Sequence, residues 1–179
     1  MAFDFDAHIR KIPDHPRQGI LFYDLMPLFQ SPEGLTAAID AMAAWARERQ
    51  PDVVLGAEAR GFILGGALAQ ALGVGFAAAR KPGKLPWRTV QADYELEYGT
   101  DALALHRDAV GRGQRVLIHD DLLATGGTAE AKCRLVEELG GTVVGCIFIV
   151  ELSFLSGRDR LRGYDVGSLV TYDTEAVPA

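Results

Sequence analysis

Four short apolar runs most constrain how this chain can fold. Val53-Val54-Leu55, Val74 to Ala79, Arg115 to His119 and Val143 to Val150 are strand-length and apolar through their middles, with no alternation of polar residues. Strands of that kind must be covered on both faces. Between them lie segments with helical spacing. Pro32 to Arg49 turns Leu35, Ile39, Met42 and Trp45 inward, with Ser31 as N-cap and Pro32 at its first position. Ile63, Leu64, Ala67, Leu68, Ala71 and Leu72 repeat the period before a stop at Gly73. Thr128 to Leu139 ends at Gly140-Gly141. Strand and helix in alternation predict an α/β fold: a central, mainly parallel sheet flanked by helices.

Two regions depart from that rhythm. Residues 1–30 hold Pro13, Pro16 and Pro27 among scattered aromatics and read as an irregular N-terminal cap. Between Lys81 and Arg107, residues Thr89, Val90, Tyr94, Leu96 and Tyr98 alternate with polar ones, which predicts two antiparallel strands or a long loop. Gly61 to Ala79 lacks charge over a length near that of a membrane span, but Gly73-Val74-Gly75 divides it into a helix and a strand.

Composition narrows the function classes. At 179 residues, 49% hydrophobic and 23% charged, the chain suits a single domain over 1–179 whose core needs no disulfides. The net charge of −6 disfavours a nucleic-acid partner, so an anionic ligand must be held by a local basic cluster. Cys133 and Cys146 form no CxxC and read as reduced thiols near a core. The N-terminus, Met1 to Asp6, is acidic where a secretory signal would be basic and then apolar. A cytoplasmic protein without membrane contact is expected.

The most informative segment is Val116-Leu117-Ile118-His119-Asp120-Asp121-Leu122-Leu123-Ala124-Thr125-Gly126-Gly127-Thr128. A buried strand delivers two carboxylates to the sheet edge, and a glycine turn with threonine hydroxyls opens a helix. Free N–H groups at a helix N-terminus suit one phosphate. Carboxylates just upstream would repel that phosphate but can accept hydrogen bonds from a ribose diol. Together they predict a ribose 5-phosphate site. Neither GxxxxGK[ST] nor a strand-to-helix GxGxxG is present.

Residues 116 to 128 resemble the phosphoribosyl pyrophosphate (PRPP) signature of type I phosphoribosyltransferases. The Asp-Asp-Leu-Leu-Ala-Thr-Gly-Gly-Thr form is especially similar to the adenine phosphoribosyltransferases. Collinear pieces extend the resemblance from about residue 8 to 173: Ile12-Pro13-Asp14-His15-Pro16, Ala59-Arg60-Gly61-Phe62, Arg80 to Pro86, Leu96-Glu97-Tyr98-Gly99 and Val150-Glu151-Leu152. The resemblance implies that Asp120, Asp121, Ala124, Thr125, Gly126, Gly127 and Thr128 bind the ribose and 5-phosphate of PRPP. Ala59, Arg60, Lys81 and Lys84 would hold pyrophosphate. For Arg60 and the two lysines the residues point the same way, since two of only four lysines fall beside Arg80 in an acidic chain, although a solvated charge run is the alternative.

The resemblance further implies a flexible flap over 82–100, with Glu97 as the acid/base residue, and a cap whose Leu21 backbone and Phe22 ring bind adenine. It implies Mg2+ carried with PRPP and no dedicated protein metal site, and a homodimer. The sequence departs from the family at Tyr23, where an arginine is usual, at Glu58-Ala59 in place of Asp-Ser, and at His119, which reads as a structural strand-end residue. The expected activity is transfer of the phosphoribosyl group of PRPP to adenine, giving AMP and pyrophosphate. Transfer to xanthine or hypoxanthine, or a PRPP-sensing regulator without chemistry, are the alternatives.

Overall fold

The computed structural model describes residues 3–96 and 99–175. Its centre is a five-stranded, all-parallel sheet in the order β4-β3-β7-β8-β9. These strands are β3 (Val53–Ala57), β4 (Gly75–Ala79), β7 (Arg115–Leu123), β8 (Thr142–Leu152) and β9 (Val166–Tyr172). The apolar runs thus become buried strands, as expected. The last strand, β9, is not apparent in the sequence pattern, because Gly167, Ser168 and Thr171 interrupt its apolar residues.

Alternation along each strand feeds two cores. Leu55, Ile118 and Phe148 pack on one face with α4 (Gly127–Glu138) and the hairpin β5 (Thr89–Leu96) and β6 (Gly99–His106). Val54, Leu117 and Ile147 pack on the other with α2 (Pro32–Arg47) and α3 (Arg60–Leu72). The segment between Lys81 and Arg107 is therefore the antiparallel pair, with Thr89 opposite His106 and Leu96 opposite Gly99. It covers the sheet where a helix would otherwise lie.

The helix ends follow from local chemistry. Ser31 Oγ accepts the Gly34 N–H at 3.0 Å and caps α2, and Gly73 ends α3 in the left-handed conformation at φ 71°. The cap is more regular than its prolines suggest. It contains a two-stranded sheet of β1 (Arg10–Ile12) and β2 (Phe22–Asp24), then a short helix α1 (Met26–Gln30). Cys133 and Cys146 are buried, free thiols with their sulfurs 3.9 Å apart.

The sheet order reverses between β3 and β7, the first and third of the parallel strands in the chain. In open α/β sheets such a switch point opens a crevice beyond the strands' carboxyl ends.

Candidate active site

A cavity of about 320 Å3 occupies that crevice. It is bounded by Glu58 and Arg60 after β3, by Asp120 to Ala124 at the end of β7, and by Thr125 to Ala129 entering α4. Lys81, with Tyr94 and Leu103 of the hairpin, closes one side.

β7 runs two residues past the acidic pair instead of ending at His119. Its hydrogen bonding to β8 holds that end as far as the pairing of Leu123 with Glu151. Successive strand residues point to opposite faces, and the carboxylates divide accordingly. Asp120 turns to α4, where Lys132 Nζ donates to its Oδ2 at 2.8 Å and to the His119 carbonyl at 2.8 Å. Asp121 turns to α3 and pairs with Arg60 Nε. The Lys132 side chain is 0% exposed, whereas Arg60 is 43% exposed. One cation is therefore locked in place, and the other lies at the cavity surface, able to turn toward an arriving anion.

The glycines of the site have identifiable roles. Gly126 sits at φ 84° as the residue preceding α4, and a Cβ there would lie 2.4 Å from the Gly157 carbonyl oxygen. Gly61 lies against the acidic pair: a Cβ there would lie 2.7 Å from Asp120 Oδ1. α4 begins at Gly127, so the N–H groups of its first turn, which have no helical partner, face the cavity that Thr125 and Thr128 also line.

The other expected residues separate into two groups. Lys81 lines the cavity with its ammonium paired to Asp101. Lys84 is exposed and contributes its carbonyl to Arg80, outside the cavity wall. Ala59 precedes α3 without a side-chain cap. Glu58 accepts from Arg80 at 2.9 Å and from the Lys81 N–H at 2.6 Å, so it ties the loop after β3 to the basic segment. The Lys81 N–H bond and the Arg80 charge hold the Glu58 carboxyl below its usual range. Phe22 faces Arg60, whose guanidinium carbon is 5.8 Å from the ring centroid. Leu21 is buried in the core. Tyr23 is buried and stacked on Tyr172 at 4.3 Å. Glu97 and Tyr98 lie outside the described residues.

His119 is fully buried, with Nδ1 3.0 Å from the Ile147 carbonyl. Burial pushes its pKa down to about 4, so the ring is neutral and Nδ1 donates. That is the structural role its position suggests. Lys132 and Tyr94 were not singled out from the sequence. The signal for Lys132 was a lysine inside the stripe Ala129, Cys133 and Val136, at helical i, i+3, i+4, i+7 spacing.

Asp121 is pushed up to about 6, first by burial and then by the charge on Asp120, while Arg60 pulls it down. The folded value exceeds the unfolded one, so this group's contribution is fully present below about pH 4 and is lost as pH rises through about 6. Asp121→Asn is therefore expected to stabilise the ligand-free protein at pH 8 by about 1–3 kcal/mol. At pH 5, midway through the window, the gain should be about half as large, although ribose binding suffers at both. Thermal melts at the two pH values check this, and an equal gain at both would contradict it.

Comparison with known proteins agrees with this geometry. The phosphoribosyl transferase domain family matches residues 28–173. The adenine phosphoribosyltransferase of Desulfitobacterium hafniense is 54% identical over 171 residues, covering 96% of this chain and 99% of that protein. That of Thermotoga maritima is 55% identical, covering 94% and 98%. Among solved structures, the adenine phosphoribosyltransferase of Thermoanaerobacter pseudethanolicus has a TM-score of 0.91 at 50% identity, covering 94% of this chain and 98% of that one. The Saccharomyces cerevisiae enzyme, complexed with an imino-altritol bisphosphate and adenine, has a TM-score of 0.89 at 40% identity, covering 92% and 96%. With the acidic pair, the glycine turn and Arg60 all converging on one crevice, the chain belongs to the phosphoribosyltransferase family, in the branch formed by the adenine phosphoribosyltransferases.

Proposed function

We propose that this protein transfers the phosphoribosyl group of PRPP to adenine, yielding AMP and pyrophosphate, as a purine-salvage enzyme. The observation that carries the reading is the single crevice in which Asp120 and Asp121, the α4 N-terminus and Arg60 meet. The first-turn amides of α4, with Thr125 and Thr128, anchor the 5-phosphate. The acidic pair accepts from the ribose hydroxyls. Arg60, the amides around Ala59, Lys81 and Lys84 take the pyrophosphate, a group that gains charge as its bond to the anomeric carbon breaks.

Adenine enters beneath the cap of residues 1–30, against Phe22 and the Leu21 backbone. A ring nitrogen then bonds to the anomeric carbon on the face opposite the departing pyrophosphate, and Glu97 takes the proton that nitrogen loses. The segment 82–100 closes over the site and excludes water, which would otherwise consume the donor.

Among the described residues no group of three or more His, Cys, Asp or Glu side chains could hold a metal ion. The donors near the phosphates are instead committed to Lys132 and Arg60. In this reading the magnesium is carried by PRPP, where it would offset phosphate charge. A cytoplasmic homodimer completes the proposal. Trp87 and Ile63, at 54% and 48% exposure, offer apolar surface of the kind a second subunit covers. The buried thiols suit a reducing compartment. Among the described residues, no helix is long and apolar enough to cross a membrane.

The test supplies PRPP and magnesium with adenine, hypoxanthine, guanine and xanthine separately, for the native protein and Glu97→Ala. AMP from adenine alone, slowed at least about tenfold in the variant, is expected. Turnover of another base in preference to adenine would move the protein to that substrate. PRPP binding without turnover of any base would make it a sensor.

A further inference from the structure

We propose that Lys132 is a positioning residue for phosphoribosyl transfer, holding Asp120 in the orientation that meets the ribose and serving as its permanent ion-pair partner. The inference rests on the reading of Asp120 as a ribose-binding group. Four observations carry it. The Lys132 side chain is 0% exposed, so its ammonium has no alternative partner in solvent. Its two hydrogen bonds, at 2.8 Å each, go to consecutive residues at the end of β7, the His119 carbonyl and Asp120 Oδ2. The other Asp120 oxygen accepts the Asp121 N–H at 3.1 Å and is hemmed in by Gly61, where a Cβ would approach to 2.7 Å. The carboxylate is therefore fixed at both oxygens.

The fourth observation is the contrast with Asp121, whose cation, Arg60, is 43% exposed and lies at the cavity wall. When a pyrophosphate draws Arg60 away, Asp121 loses its countercharge, but Asp120 keeps Lys132. Two adjacent carboxylates left without any cation would repel a polyanionic donor. Lys132 prevents that without competing for the phosphates, because it reaches Asp120 from the α4 side beneath the site. His119, the neighbouring titratable group, is buried and neutral, so it adds no opposing charge.

The test uses ribose 5-phosphate as a non-reacting probe, with binding measured by calorimetry beside steady-state kinetics. Lys132→Met keeps length and removes charge. It should weaken ribose 5-phosphate binding and raise the PRPP KM at least about tenfold, with the adenine KM within about twofold. Asp120→Asn and the Lys132→Met/Asp120→Asn double variant separate positioning from simple packing. If Lys132 acts through Asp120, Lys132→Met adds less than about a twofold loss in the asparagine background. That comparison also decides the matter if Lys132→Met alone does not fold, because the double variant buries no unpaired charge. Unchanged ribose 5-phosphate binding in Lys132→Met, or losses that multiply in the double variant, would overturn the proposal. Native protein that binds ribose 5-phosphate in a Lys132-dependent way yet forms no AMP would overturn the transferase reading and leave the positioning role standing. Native protein that does not bind ribose 5-phosphate would overturn both.

Discussion

Gly126→Ala is expected to lower kcat/KM for PRPP by about a hundredfold, corresponding to roughly 3 kcal/mol. Two costs combine. The backbone at Gly126 has φ 84°, a region that costs an L-residue about 1–2 kcal/mol. A methyl group there would also lie 2.4 Å from the Gly157 carbonyl oxygen, a backbone atom that cannot rotate aside. The turn must shift, and with it the first amides of α4, which the reading assigns to the phosphate. The damage should fall on PRPP and AMP and spare adenine. Gly157→Ala should act similarly from the other side of the contact, since its Cβ would lie 2.2 Å from the Ala124 carbonyl oxygen. Initial-rate kinetics with PRPP varied at saturating adenine check both, and a change below about threefold would exclude the tight turn as a requirement.

Arg60→Ala should cost about 10²–10³ in kcat, the usual loss when one donor to a developing oxyanion is removed. Stability at neutral pH should fall as well, because the variant leaves the buried Asp121 carboxylate without its countercharge. A second consequence has a definite sign. Arg60 lowers the Asp121 carboxyl against burial and the Asp120 charge, so its removal pushes that carboxyl further above about 6. The acid side of the pH–rate profile should move to higher pH in the variant. A profile that keeps its shape while falling in height would show that Asp121 is not the group titrating there. Arg60→Lys should recover only part of the rate, because an ammonium lacks the planar fork that matches phosphate oxygens.

The architecture was legible in the sequence where physics acts locally. Apolar runs such as Val143 to Val150 can only be strands covered on both faces, and Ser31-Pro32 marks a helix start by hydrogen bonding and fixed φ. The glycine turn after the acidic pair was legible for the same reason. What was hidden depends on packing between distant segments. β9 shows itself only by pairing with β8, with Val150 opposite Val170, since its own pattern is broken by Gly167 and Ser168. The end of β7 lies at Leu123 and not His119 because β8 supplies partners that far. Lys132 could not be assigned from its neighbours in the chain. Its role requires α4 to cross the end of β7 at Asp120, a contact between residues twelve apart. Tyr23 shows the converse: a departure from the family in sequence becomes, in three dimensions, a core residue stacked on Tyr172.

The central claim is that residues 120 to 128 bind the ribose 5-phosphate of the donor. A crystal structure of the protein with AMP tests it most directly. The phosphate should lie on the backbone amides of Thr125 to Thr128, the ribose hydroxyls on Asp120 and Asp121, and Lys132 should still be bonded to Asp120. AMP bound elsewhere, or in this crevice with its phosphate on Arg60 and Lys81 and its ribose away from the acidic pair, would contradict the account.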